Sequence, residues 1–273
     1  MKFFDEEHAV NYILSRQDDD GGFCFYRAWG VEESNAPDTF YAVASLTHLT
    51  RDVPKQDLLI HFLRKLQSAS GDYPSLTIAY FALSTLRLLG TNPDHDPQPA
   101  LELWMQRLPG AGLVPDRWTS GLRNAARCAC LSGEWSISSS AWKNAALALL
   151  TLCHNAKGGY GVKANPIDSY HALLLQRALG EAITVADLAF FHDCDDPVLG
   201  IRMAPDSSST NMETTHAALR SFFLQDRAPG FPDAIEQFLS RCQHSQGGFG
   251  RSDDAIATLE STWRAVSIWK LLH

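Results

Sequence analysis

Apolar and polar positions follow a helical period along almost the whole chain. Runs such as "PKQDLLIHFLRKLQS" and "PDAIEQFLSRCQ" gather apolar residues on one face and charges on the other. They alternate with blander Ala- and Leu-rich runs: "DTFYAVASLTHL", "SLTIAYFALSTLRLL", "GLRNAARCACL", "DSYHALLLQRAL", "ETTHAALRSFFL" and "ESTWRAVSIWKLL". Strand-like alternation is sustained nowhere. The pattern predicts an all-α chain in which polar-faced helices alternate with apolar ones.

The alternation is punctuated by a repeat. "YILSRQDDDGGF", "FLRKLQSASGDY" and "FLSRCQHSQGGF" each read aromatic, aliphatic, three residues, Gln, three residues, Gly, one residue, aromatic. "LLTLCHNAKGGY" is a fourth copy with His154 in place of the Gln. "WMQRLPGAGL" keeps Gln106 and Gly110, and "FFHDCDDPVLGI" keeps little beyond Gly200. The glycines fall at Gly21, Gly71, Gly110, Gly158, Gly200 and Gly247, an uneven period in the forties that suits a helix, a turn and a second helix. The glycine accepts the positive φ that ends the first helix, and the aromatic ring plugs the layer between the two helices. The Gln is expected to hydrogen-bond the backbone of the next hairpin. Six such hairpins can stack as an open solenoid or close into a ring with the apolar runs inside. Closure removes the need for capping repeats and no linker divides the chain, so one α/α-toroid domain over residues 1–273 is expected.

Composition changes this picture little. Apolar residues make up 45% and charged residues 20% of the chain, with no long uncharged apolar run of the kind a transmembrane segment needs. The start, "MKFFDEEHAV", has no apolar core of a secretory signal, so a soluble, cytoplasmic protein is expected. The net charge of −8 argues against a nucleic-acid partner, which calls for clustered Lys and Arg, but leaves room for an anionic ligand in a local basic pocket. Cys24, Cys128, Cys130, Cys153, Cys194 and Cys242 form no CxxC pair and no ligand-like spacing, which predicts reduced, mostly buried thiols.

Candidate chemistry gathers at the starts of the bland helices. In "TNMETTHAAL", Glu213 and His216 share one helical face, as a proton-transfer pair or half of a metal site would. Thr210-x-x-Glu213 also has the spacing of a capping box, alongside Asn35-x-x-Asp38 and Asn165-x-x-Asp168. Capping alone accounts for these acids. It accounts less well for Tyr41, His171, His216 and Trp263 one turn later, all directed at the interior of a barrel. His171 and His216 read as equivalent positions of adjacent hairpins, each with an acid one turn earlier. "QDDDGG" and "RSDDA" read as solvated turns, although Asp runs can bind magnesium diphosphate. No phosphate-cradling glycine loop, HExxH or GxSxG occurs, which removes the usual support for nucleotide hydrolysis, zincin and α/β-hydrolase chemistry.

The Gln-xxx-Gly-x-aromatic element resembles the QW motif of squalene and oxidosqualene cyclases. The "GGF" and "GGY" turns followed by "DTFYAVASL", "DSYHALLL" or "ESTWRAV" resemble the repeats of protein prenyltransferase β subunits. The resemblance implies an α/α toroid of six inner and six outer helices around an apolar cavity that holds an isoprenoid. The prenyltransferase side implies a zinc ion held by Asp-x-Cys and Asp-x-x-His. "DSYH" supplies Asp168 but has Tyr170 for the Cys, and "ETTH" supplies His216, so Asp168, His171 and His216 would make an Asp/His/His set. Lys163 and Arg202 are the basic residues positioned to meet a diphosphate. The cyclase side implies a carboxylic acid from Asp-x-Asp-Asp or Asp-x-Asp-Thr-Thr. "NMETT" resembles the second form, with Glu213 as the acid, its pKa raised by an apolar cavity. The literal Asp-x-Asp-Asp, "DCDD", falls by repeat phase in a turn, and the repeats leave no room within residues 1–273 for the second domain expected of a cyclase.

The leading expectation is an isoprenoid-handling enzyme of the prenyltransferase-β type. It would bind an isoprenoid diphosphate or terpenoid, carry Asp168, His171, Glu213 and His216 as an acid-base or metal cluster with Zn2+ or Mg2+, and work with a helical α subunit or as a homo-oligomer. A class II-type terpene cyclase, its cavity lined by Tyr41, Trp118, Tyr170 and Trp263, is the alternative enzyme. A non-catalytic toroid binding a lipid or partner is the third.

Overall fold

The computed structural model describes residues 4–26, 33–108, 113–135 and 141–273. Twelve α-helices occur among them: α1 (Glu6–Leu14), α2 (Ala36–His48), α3 (Gln56–Lys65), α4 (Leu76–Leu88), α5 (Gln98–Gln106), α6 (Trp118–Glu134), α7 (Ala141–Cys153), α8 (Pro166–Leu179), α9 (Val185–Asp193), α10 (Met212–Phe223), α11 (Pro232–Cys242) and α12 (Leu259–Leu272). Each odd-numbered helix packs on the even-numbered helix that follows it, so the six predicted hairpins are present. Gly110 and its turn lie outside the described residues. Among the described residues, no helix is long and apolar enough to cross a membrane.

The chain forms two compact units. Met1–Asp96 joins Pro232–His273 in the first, and Pro97–Phe231 makes the second. In unit 1 the even helices pack in the order α12, α2, α4, flanked by α11, α1 and α3. In unit 2 they pack in the order α6, α8, α10, with α5, α7 and α9 alongside. The turn aromatics Phe23, Tyr73, Tyr160 and Phe249 are buried, as the plugging role predicts.

The Gln of the repeat ties two hairpins together. Gln243 Nε2 donates to Gly247 O at 3.2 Å within its own turn and to Asp5 O at 2.9 Å, while its Oε1 accepts from Asp5 N at 2.9 Å. Gln67 makes the same three bonds to Gly71 O and to His95 O and N. Gln17 donates to Gly21 O and Pro54 O. One primary amide therefore satisfies backbone groups on both sides of a helix–helix contact, which explains why the repeat keeps a residue carrying both a donor and an acceptor. At His154 the work is divided. The imidazole Nε2 lies 3.1 Å from Asp187 Oδ1, and that buried carboxylate takes the Gly159 N–H at 3.1 Å.

Gly247 shows what the turn demands. Its φ is +97°, and a Cβ there would collide with the backbone carbonyl of His8 in α1. Both the left-handed backbone and the close approach exclude a side chain. The turns also form short ladders that periodicity does not reveal: β1 (Asp195–Asp196) pairs with β2 (Gly200–Ile201), and β3 (Phe249–Gly250) with β4 (Ala257–Thr258).

A second tie fixes three of the even helices, α2, α8 and α12, to their turns. The turn N–H groups of Phe23, Tyr160 and Phe249 donate to Thr39 Oγ1, Ser169 Oγ and Thr262 Oγ1 at 3.0, 2.9 and 3.0 Å. Each hydroxyl stands four residues past the N-cap of its helix: Asn35, Asn165 and Thr258.

Replacing Gln243 with Ala removes the three clasp bonds and should lower the unfolding free energy by about 1–3 kcal/mol in urea titrations. Gly247→Ala, which combines left-handed strain with a backbone collision, should cost about 2 kcal/mol or more by the same measurement.

Candidate functional site

The caps set the register of the site. Asn35 and Asn165 cap α2 and α8 as the sequence predicts, accepting from the N–H of Asp38 and Asp168. Helix α10 is different: its cap is Asn211, which accepts from Thr214 N at 2.9 Å, and not Thr210. The correction moves the whole segment by one residue. Thr214 becomes the counterpart of Asp38 and Asp168, and Glu213 becomes the counterpart of Glu260 in α12. His216 then corresponds to Tyr170, Phe40 and Trp263, so His171 and His216 are not equivalent positions.

This register sorts the first turn of each even helix into two sides. The third and fourth residues past the cap turn toward the loop: Asp38, Thr39, Asp168, Ser169, Thr214, Thr215, Ser261 and Thr262 are all buried. The second and fifth lie on the other side, where Glu213, Glu260, Phe40, Tyr170 and Trp263 are half-buried and His216 is 6% exposed.

Asp168 belongs to the loop side. Its Oδ2 accepts from Asn165 Nδ2 at 2.9 Å and from Thr119 Oγ1 of α6 at 3.0 Å. Its sister Asp38 accepts from Asn35 and from the backbone N–H of Phe25 instead. Asp168 Oδ1 is buried and has no hydrogen-bond partner among the described residues. Burial pushes the Asp168 carboxyl up from its ordinary value, with Glu213 adding to the rise and Asn165, Thr119 and Arg123 opposing it.

The open side of unit 2 is more basic than the sequence suggested. The run "GLRNAARCACL" reads as a bland apolar helix, but α6 buries Leu122, Ala125, Ala126, Cys128 and Ala129 and leaves Arg123, Asn124, Arg127 and Glu134 half-buried. Arg123 and Arg127 are four residues apart and share one face. Arg123 Nη2 donates to Glu213 Oε1 of α10 at 3.1 Å, bridging two helices that both pack on α8. Arg220, one turn and more beyond His216 on α10, is half-buried on the same stripe. Tyr170 stands edge-on to His216 with ring centroids 6.5 Å apart, and lies 5.7 Å from His171. Sequence reasoning missed Arg123, Arg127, Arg220 and Thr119. The available signal was two arginines at helical spacing in a run otherwise of small apolar residues.

The other candidates fall elsewhere. Lys163 pairs with Asp206 of the segment before α10, both well exposed, and Arg202 donates to Asp193 O at 2.7 Å and pairs with Asp196, so both expected diphosphate contacts are engaged with acidic or carbonyl groups of the chain. Trp118 opens α6 and donates from Nε1 to Leu113 O at 2.9 Å. The "DCDD" acids lie in the β1–β2 turn: Asp196 accepts from Val198 N and Leu199 N, and Asp195 from Gly230 N. Tyr41 and Trp263 belong to an aromatic cluster of unit 1. Their rings are 5.2 Å apart, Tyr41 lies 5.3 Å from Phe81, and Phe40 lies 5.8 Å from Trp263 and 5.4 Å from Phe81. Tyr41 donates to Glu260 at 3.0 Å, and Glu260 pairs with Arg264 one turn along its own helix at 2.9 Å.

A zinc or magnesium ion does not fit the residues proposed for it. Among the described residues no group of three His, Cys, Asp or Glu side chains is arranged to hold a metal ion, the Asp168/His171/His216 set included. The reason is the register: Asp168 turns to the loop and Thr119, whereas His216 stands on the opposite side beside Tyr170. All six cysteines are free, as expected, and burial pushes the thiols of Cys128, Cys194 and Cys242 up to about 12. Burial favours the protonated form of these three thiols.

The family is shown by sequence. The chain matches the "prenyltransferase alpha-alpha toroid domain" family over residues 1–73 and again over 59–273, and it belongs to that family. The fold is accordingly the α/α toroid. Among solved structures it is similar to protein geranylgeranyltransferase-I of Candida albicans, complexed with GGPP, with a TM-score of 0.70 and 12% identity over 97% of this chain and 90% of that one. The type II terpene cyclase MstE of Scytonema gives 0.63 and 13%, over 98% and 95%. A variant of MstE is in complex with its substrate, geranylgeranyl dihydroxybenzoate. A protein from Actinoplanes gives 0.60 and 15%, over 97% of each chain. None of the curated proteins compared matches the chain.

Asp168 makes a pH prediction. Because burial raises its folded-state pKa, the folded protein holds a proton over a range where the unfolded chain has released it. Its contribution to stability is greatest below the unfolded pKa and is lost as pH rises through the folded one. Asp168→Asn removes that dependence. The melting temperature of the variant relative to the wild type should therefore climb as pH rises above the ordinary aspartate range and level off once the raised folded-state value is passed.

Proposed function

We propose that this protein is an isoprenoid-handling enzyme that binds a prenyl diphosphate, with the charged head group on the open side of α6, α8 and α10. The observation that carries the reading is the Arg123–Glu213 pair with Arg127 on the same half-buried stripe. A protein of net charge −8 that places guanidinium groups on one sheltered face has built a local anion site against its global field. Guanidinium suits a diphosphate because its planar fork donates in pairs to two oxygens. The similarity in fold to a geranylgeranyltransferase and to a terpene cyclase points to the same chemical family.

In this reading the allylic carbon–oxygen bond breaks and its electron pair departs with the diphosphate. Arg123 and Arg127 offset the charge that builds on the leaving group, the kind of electrostatic stabilisation that dominates such steps. A nucleophilic acceptor attacks the allylic carbon and gives up its proton to His216 or His171, the imidazoles flanking Tyr170. No step needs a metal held by the protein.

Asp168 supports a second reading. A buried carboxyl with a raised pKa and an unpartnered Oδ1 is suited to hold a proton, as the acid of a class II-type cyclase must. Glu213, paired with a guanidinium, is the weaker acid candidate of the two.

Calorimetry separates the readings. Geranylgeranyl diphosphate should bind, Arg123→Gln should weaken it by about tenfold or more, and geranylgeraniol should bind less well than the diphosphate. Equal binding of the alcohol, together with an unaffected Arg123→Gln variant, would sink the diphosphate reading. Loss of polyprene turnover in Asp168→Asn with binding intact would then establish the cyclase. Ligand binding with no turnover of any prenyl substrate would leave a binding toroid.

A further inference from the structure

At the fourth copy of the repeat a cavity of about 330 Å³ opens between α7, the end of α8 and the chain leading into α9. His154, which stands there in place of the Gln, has its Nε2 on Asp187, a carboxylate 1% exposed that also takes the Gly159 N–H and the Thr184 hydroxyl. A carboxylate that accepts from all sides holds the proton of a neutral imidazole on Nε2 and leaves Nδ1 as an acceptor. Gln176 is 5% exposed. Its Nε2 donates to Ala182 O at 3.4 Å, while its Oε1 is buried with no hydrogen-bond partner among the described residues. Tyr160 occupies the place that Phe23 and Phe249 hold in sister turns and adds a hydroxyl; burial pushes it up, with Asp187 adding to the rise, so it stays neutral. Glu181 is exposed and brings a carboxylate, and Leu147 and Leu150 supply an apolar wall. No Lys or Arg lines the cavity: Arg177 belongs to a neighbouring cleft.

We propose that this cavity binds an alkylammonium group, either of a small amine or of a lysine side chain. The proposal is independent of the head-group reading, since none of Arg123, Asp168, Glu213 and His216 lines the cavity. An alkylammonium carries three donors, no acceptor and a methylene stem. The lining has the opposite character. Gln176 Oε1, His154 Nδ1 and the Glu181 carboxylate all accept, and the leucines and the Tyr160 ring suit the stem. An anion would meet Glu181 with no cation to receive it, in a protein of net charge −8. A neutral alcohol has a single donor and would leave buried acceptors unsatisfied.

The test titrates pentylammonium and 1-pentanol into the protein at about pH 8, where an ordinary imidazole is neutral, reading affinity by calorimetry and the imidazole nitrogen signals of His154 by NMR. Pentylammonium should bind about tenfold or more tightly than pentanol and shift the Nδ1 signal. Glu181→Gln and Gln176→Leu should each weaken the amine by about threefold to tenfold and leave pentanol nearly unchanged. Melting temperatures would confirm that the variants are folded; if Gln176→Leu is not, the exposed Glu181→Gln decides alone. Equal binding of amine and alcohol overturns the proposal. Amine binding that the folded variants retain in full overturns it too, because attraction to an acidic surface then suffices. Absence of amine binding does the same. Nα-acetyl-lysine amide, titrated alongside, distinguishes the sources: binding tighter than pentylammonium assigns the site to a lysine side chain of a partner, and weaker binding assigns it to a small amine, both upholding the shared chemistry.

Discussion

The hydroxyl at the fourth position past the caps of α2, α8 and α12, holding the N–H of the aromatic turn residue, constrains what every other residue of the first turn can do. Thr39, Ser169 and Thr262 make this bond in α2, α8 and α12. The bond fixes the rotation of each helix about its axis. With that position turned to the loop, the second and fifth positions have to face the other way, and all of those with charged or aromatic side chains but His216 are half-buried. A rotation of one residue, about 100°, would exchange buried Ser or Thr for an aromatic or a charge. The caps therefore specify the functional face as well as the helix start.

Repeats let structural and chemical roles be separated within one chain. Asp38 and Asp168 both stand three residues past an Asn cap and both are buried, yet Asp38 Oδ2 takes the Phe25 N–H, whereas Asp168 Oδ2 takes the Thr119 hydroxyl and its Oδ1 is buried without a hydrogen-bond partner. Gly161 makes room for this carboxylate, because a Cβ there would press on Asp168 Oδ2. Glu260 and Glu213 diverge in the same way. The departure from the sister pattern marks the position that needs an explanation, and in both cases it lies in unit 2 and involves α6.

The fold was legible because its determinants are local and periodic. The Gln, Gly and aromatic of each turn are spaced residues of one segment, and the expected Gln bonds to the next hairpin are present at Gln17, Gln67 and Gln243. The site was legible only in part. His216, Glu213 and Tyr170 do share a face, but the cap at Asn211 lies one residue from the Thr210 that the capping-box spacing suggested, and a one-residue error at a helix start rotates every assignment after it. Two adjacent cap-forming residues offered the choice, and only the backbone hydrogen bond to Thr214 resolves it. Arg123 was missed for a different reason. Its meaning depends on Glu213, ninety residues away on a helix that is not its sequence neighbour.

The charge balance of the site follows from the same geometry. An arginine on a half-buried helix face has to be desolvated in part, and a lone guanidinium there would be costly. Glu213 offsets that cost in the ligand-free protein, and it can do so without belonging to the chemistry. The identical reasoning applies to Glu260 and Arg264, where the pair closes inside α12 and the helix keeps it. At α10 the residue in the place of Arg264 is Ala217, and Glu213 pairs with Arg123 of α6. In the proposed reading, the Arg123–Glu213 pair and affinity for an anion draw on one guanidinium, so strengthening one weakens the other.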